Sequence, residues 1–293
     1  SFKRSYIWNP KTSYSRNSAL NFNNLIDSVN TEDNKQVLDY NNTKVFFLNS
    51  KNSSNSMNNV KFDHQINKLT FSYTNHNIKE NIFNTDNNFQ KLRFNKIEST
   101  DKNITNFSSN YILNRYLSFT SGYALGEFNN LNKFTESYYD INYVNNFYSF
   151  NYGYGTILEQ NQFLGTEGTG AYKINKPSVT NFTDINSRFL INENLELTAS
   201  YAKFNTDIDM MYKNFVSISD LQSDEFKFGI TYHKLLESND KLSLNFISPL
   251  GTTSGKITQH TTKGYNSDGT YKSLTEHYSL KNDNRPKNIN LIY

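Results

Sequence analysis

The chain has 293 residues, among them 48 asparagines, 21 tyrosines, 23 phenylalanines, 4 prolines and no cysteine. A formal net charge of +3 is too small to argue for a nucleic-acid partner, and 15% aromatic residues argue against disorder despite a mean hydropathy of −0.74. No stretch approaches the ~18–20 consecutive apolar residues of a membrane helix; Val45-Phe46-Phe47-Leu48 is among the longest apolar runs, so a helical membrane protein is excluded.

The chain opens on Ser1 without a charged-then-apolar export segment, which fits either a processed protein or the C-terminal piece of a longer precursor. Residues 18–42 are rich in Asn and Asp and show little period; a loop and a short helix around Leu20–Val29 both remain open. Strand candidates follow at Thr43–Asn49, Val60–Ile66, Leu69–Asn75 and Phe89–Ile97.

From residue 115 onward the alternation sharpens, and ten strands are expected there. Leu117, Phe119, Tyr123 and Leu125 share one face, with Ser118, Thr120, Gly122, Ala124 and Gly126 on the other. Tyr139, Ile141 and Tyr143 lead into a tight turn at Asn145-Asn146, and Tyr148, Phe150, Tyr152 and Tyr154 return opposite Ser149, Asn151, Gly153 and Gly155. Bulky residues on one face and small ones on the other are the reverse of a soluble sandwich, whose outer face is charged. Four aromatics in strict alternation would be an aggregation hazard on a soluble edge but suit a lipid-facing wall.

A second hairpin places Thr183, Ile185, Ser187, Phe189 and Ile191 on one face, turns at Asn192–Asn194, and continues that face with Leu195, Leu197, Ala199 and Tyr201. The opposite face carries Asp184, Arg188 and Glu196, placing the guanidinium near both carboxylates as an ion-pair network lining an interior. A third hairpin runs from Phe226, Phe228, Ile230 and Tyr232 through a turn near 236–240 to Leu242, Leu244 and Phe246, with further strands near 254–262, 270–280 and 287–293. Short turns at 145–146, 192–194 and 236–240 alternate with long connections at 126–136, 159–180 and 206–222, the layout of a membrane barrel. A short outer loop near 251–253 and an inner turn near 263–269 would return Tyr293 to the short-turn side, as an even strand number requires. The expected fold is therefore all-β: an antiparallel transmembrane β-barrel of about 12 to 14 strands.

Chemistry is sparse. Gly165, Gly168 and Gly170 lack the Lys-Ser/Thr ending of a phosphate loop, and Gly251-Thr252-Thr253-Ser254-Gly255 lacks the companions of a serine nucleophile, reading better as a strand-to-loop bend. His64, His76, His233, His260 and His277 are scattered without metal-ligand spacing. No catalytic, cofactor or metal site is expected. The alternatives are a soluble β-sandwich or solenoid core; a fixed repeat of ~20–50 residues, which a solenoid needs, is not visible.

The final residues, Asn288-Ile289-Asn290-Leu291-Ile292-Tyr293, put Ile289, Leu291 and Tyr293 on one face and resemble the closing strand of bacterial outer-membrane barrels. That resemblance implies recognition of the terminus by the barrel-assembly machinery. The segment Phe163-Leu164-Gly165-Thr166-Glu167-Gly168-Thr169-Gly170-Ala171-Tyr172 resembles one in the C-terminal region of bacterial subtilisin-like autotransporters. So do Ser217 to Phe226, Phe246 to Leu250, Ser254 to Ile257, Asp268-Gly269 and Asn284-Arg285-Pro286, and more weakly Ser1 to Tyr6.

Over about 145–293 the resemblance implies a translocator barrel in the outer membrane of a Gram-negative bacterium, anchoring an upstream passenger. Residues 1–42 would be a linker or passenger-proximal segment, possible inside the lumen, and 43–293 the barrel. Any protease activity would lie in the passenger, not in this chain. Two further readings stay open: a free-standing porin-like channel, and a surface adhesin or structural β-protein outside the membrane, which the Asn, Ser and Thr content would suit.

Overall fold

A computed structural model describes residues 35–40, 42–48, 59–78, 102–129, 132–164, 166–234 and 240–292. The period-two segments become hydrogen-bonded strands, since each offers bulky or β-branched residues on one face and short polar ones on the other. In chain order they are β1 (Lys35–Tyr40), β2 (Thr43–Leu48), β3 (Asn59–Ile66), β4 (Leu69–Ile78), β5 (Lys102–Ile112), β6 (Leu117–Asn129), β7 (Asn132–Val144) and β8 (Tyr148–Glu159). A small hairpin, β9 (Gln162–Phe163) and β10 (Thr166–Glu167), and a 3-10 turn at Gly170–Tyr172 lead to β11 (Ser178–Leu190) and β12 (Leu195–Asp207). The chain finishes with β13 (Val216–His233), β14 (Lys241–Tyr265), β15 (Tyr271–Ser279) and β16 (Asn288–Ile292).

All strands except β9 and β10 belong to one fourteen-stranded antiparallel sheet, in which each strand pairs with its sequence neighbour in the wall. β16 pairs with β14 below β15, so β15 and β16 occupy one position in succession and the sheet has thirteen positions across. Connections at 113–116, 145–147, 191–194 and 234–240 lie at one end, the turn end. The longer ones, including 160–177 and 208–215, lie at the other, the loop end.

Several expectations change. The sheet begins at Lys35, inside the segment assigned to a linker, not at residue 43. β5 had no counterpart among the strand candidates; Phe89–Ile97 and Leu20–Val29 lie outside the described residues. The connection placed at 206–222 ends at Val216, because Val216–Ser219 pairs with Lys256–Gln259. No loop exists at 251–253: β14 runs through it as one 25-residue strand, with β13 bulged between Ser219 and Phe226. The 263–269 turn therefore sits at the loop end, and the wall has eight positions from residue 117 onward instead of ten strands. β16 still runs toward the turn end, where Ile292 opposes Ser243; Tyr293 lies outside the described residues.

Between β15 and β16 the edge position is interrupted, and Arg285 fills the gap. Its guanidinium donates to the carbonyls of Ser248, Pro249 and Asp224 and to the Asp224 carboxylate, while its stem lies across Gly251. A side chain at Gly251 would occupy the space of that stem. The guanidinium thus replaces main-chain donors that the interrupted strand does not supply.

Candidate membrane interface and inner polar network

Across β5 to β13, directly opposed residues form an outward row: Tyr111, Phe119, Ile141, Tyr152, Ile185, Tyr201 and Phe226. Every one is exposed, and Tyr139 and Tyr154 in the next row are 52% and 46% exposed. Their chain neighbours face the other way and are buried: Thr120 1%, Asp140 0%, Asn142 1% and Asp184 1%. The wall thus buries its polar face and exposes its apolar one. Among the described residues no second sheet and no α-helix covers the apolar face.

The exposed band crosses the strands obliquely. On β6 it holds Leu117, Phe119, Tyr123 and Leu125; on β13 it holds Phe226, Phe228, Ile230 and Tyr232. Relative to the opposed row, its centre descends by about two and a half residue pairs, ~17 Å, over five strand spacings, ~24 Å. The strands therefore incline to the band by about 35°, the tilt range of closed barrels.

Of the aromatics singled out for lipid contact, Phe119, Tyr123, Tyr152 and Tyr154 are exposed. Tyr148 and Phe150 point to the same face but are half-buried, because their rings stack on each other at 6.4 Å and Tyr148 also meets Tyr143 and Phe189. At the edge, Ile289 and Leu291 are 72% and 70% exposed on the face that Leu244 and Phe246 continue.

The inward face divides into two layers. Toward the turn end it is a ladder of short polar side chains. Asn142 donates to Thr120 at 3.3 Å, Asn151 to Asn142 at 2.6 Å, Asn186 to Asn151 at 3.1 Å and Ser200 to Asn186 at 2.6 Å, linking β6, β7, β8, β11 and β12. Asn186 also donates to Asp184 at 2.9 Å. Below the ladder, Arg188 donates to Glu196 at 2.8 Å and the His233 ring lies 3.3 Å from the same carboxylate oxygen. Arg188 therefore has Glu196 as its ion-pair partner, while Asp184 bonds the ladder, and the expected triad separates into two connected groups. Burying these groups is tolerable because each finds neighbours across the strands.

Toward the loop end the inward face turns aromatic. Tyr138 lies over Gly122, Phe134 over Gly126 and Phe182 over Gly155, so the glycines are the spaces that the rings occupy. Ser108, Gly122, Tyr138, Gly155, Phe182 and Phe204 are directly opposed in sequence, small and large interleaved. The face read as uniformly small is therefore filled by rings.

The loop at 160–177 closes over this layer. Leu164 packs with Phe134, Tyr138, Ile157, Phe182 and Phe204, and its N–H donates to the buried Glu159 carboxylate at 2.7 Å. Phe163 turns the other way, into a second apolar cluster with Ile174, Ile208, Met210, Val216, Leu221, Ile257 and Leu280. The two loops are tied by the Ile174–Met210 bridge and by main-chain bonds from Asn175 to Asp209 and Met211 to Lys173, both 2.7 Å. At their surface, hydrogen bonds from Lys213 and Asn175 hold the Asp209 carboxyl below the usual carboxylate range.

The asparagine ladder and the inward rings were missed because facing partners emerge only once the register is known. The signal lay in parity, with Asn142, Asn151 and Asn186 all on the polar face of their strands. Among the described residues no group of three or more His, Cys, Asp or Glu is arranged to hold a metal ion. His64, His260 and His277 instead meet threonine hydroxyls of neighbouring strands at 2.8–3.1 Å. Compared with known proteins, the chain matches no family model, no curated protein and no solved structure.

Proposed function

We propose that this sheet is the wall of a membrane-spanning β-barrel that anchors an upstream passenger at the surface of a Gram-negative cell and helps carry it there. The observation that carries the reading is the inverted burial, with polar residues enclosed and a tilted apolar band exposed. In water, exposing that band forfeits about 25 cal/mol for each Å² of apolar surface left unburied; hydrocarbon removes the cost. Strands β5 to β12 of the wall hold 11–13 residues, matching the ~9–11 needed to cross a bilayer at this tilt with a margin at each end.

The autotransporter assignment rests further on the resemblance of Phe163–Tyr172 and the terminal strand. A lumen capped by Leu164 favours an anchor or gated translocator over an open porin-like channel.

Two measurements test this. Heat-modifiable gel mobility and release only by detergent are expected; unchanged mobility with release by salt or carbonate would reject membrane insertion. A reporter domain fused before Ser1, behind an export signal, should become accessible to protease on intact cells. A reporter protected until the outer membrane is opened would remove the translocator role while leaving the barrel.

A further inference from the structure

The wall has two open edges that run the same way. β1 pairs only with β2, and β15 and β16 pair only with β14. β1 ends at Tyr40, where it turns into β2 at the turn end, and β16 also runs toward the turn end, past Ser243. Thirteen positions thus leave the first and last strands parallel. An antiparallel barrel cannot close on such a pair, because each position must run opposite to both neighbours. One additional strand running from the turn end to the loop end would pair antiparallel with both edges at once.

From these two edges we infer that the chain before Lys35 supplies that strand, through residues 13–23, giving a fourteen-position barrel. The inference rests on the barrel reading above. Chain direction agrees: a strand of that polarity finishes at the loop end, where β1 begins, and residues 24–34 bridge the two as the other long connections do. The sequence carries the parity of the wall. Ser13, Ser15, Asn17, Ala19, Asn21 and Asn23 alternate with positions that include Tyr14, Leu20 and Phe22, repeating the small polar and bulky apolar faces of β6 and β8. Eleven extended residues span about 36 Å, the length of the central wall strands. Both edges carry unpaired main-chain donors and acceptors, which are costly in hydrocarbon unless paired.

Disulfide trapping tests the seam, because the chain contains no cysteine of its own. In the full chain, one cysteine replaces Asn290 and a second is moved through residues 13–23; a parallel series pairs Gln36 with the same positions. Intramolecular cross-links from both edges to this segment, in opposite strand registers, are expected. A direct Gln36–Asn290 cross-link would overturn the inference in favour of a parallel seam. Cross-links formed only between molecules would overturn it in favour of a second copy. No cross-link in a chain that still shows heat-modifiable mobility would overturn it as well. Deleting residues 13–23 should abolish that mobility; a deletion variant that keeps it would also refute the seam. If the full chain itself lacks heat-modifiable mobility, the barrel reading falls instead.

Discussion

The outer and inner faces of β7, β8, β11 and β12 come from the same residues in alternation, yet they solve opposite problems. The outer face needs no partner, only an apolar medium, and its rings lie side by side with little interlocking. The inner face is specified residue by residue: asparagine to asparagine in one layer, ring over glycine in the other. Position in the alternation, more than residue type, therefore decides what a substitution costs. Tyr138 and Tyr139 are adjacent in sequence, yet one is 1% and the other 52% exposed.

The sharpest way to break this comparison is to charge the outer face. Ile141→Arg, at the middle of the band, should destabilise the protein by about 2–4 kcal/mol in denaturant titrations with lipid vesicles. The same change at Thr135, near the loop end of β7, should cost under ~1 kcal/mol. Equal costs would mean the band has no depth dependence.

On the inner face, Gly155→Val places methyl groups where the Phe182 ring and the Ser137 carbonyl lie. A loss of about 1–3 kcal/mol in the same titration is expected. Cutting the ladder at Asn186→Ala leaves Asn151, Asp184 and Ser200 each without one bond, and should cost about 1–3 kcal/mol. The single exchange Tyr152→Phe on the outer face should stay within ~0.5 kcal/mol.

The smallest effect concerns the loops. Because the Asp209 carboxyl is held below its ordinary range by Lys213 and Asn175, its contribution is present above the unfolded-state value and fades as pH falls through the lowered folded value. Hydrogen exchange at Met211 and Asn175 should quicken only in that acidic window. Asp209→Asn should remove the pH dependence.

Much of the wall was legible because period-two alternation needs only local sequence. Tyr148 to Tyr154 and Phe226 to Tyr232 declared their faces, and the hairpin turns at 145–146 and 192–194 followed from asparagine. The continuous β14 was hidden because Pro249, Gly251 and Gly255 resemble punctuation. What keeps the strand intact is its partners, the bulged β13 on one side and Arg285 on the other, and they are 25 or more residues distant in sequence. β5 was missed because its Asn and Ser residues mute the contrast between faces. Ring-over-glycine packing and the asparagine ladder depend on register, which no single strand encodes.

The central claim can be tested by placing single cysteines at residues 139 to 144 and attaching a fluorophore to each in vesicles containing brominated lipid. Quenching should alternate, strong at 139, 141 and 143 and weak at 138-parity positions 140, 142 and 144. Uniform quenching, or quenching strongest at the even positions, would contradict an apolar face turned toward lipid.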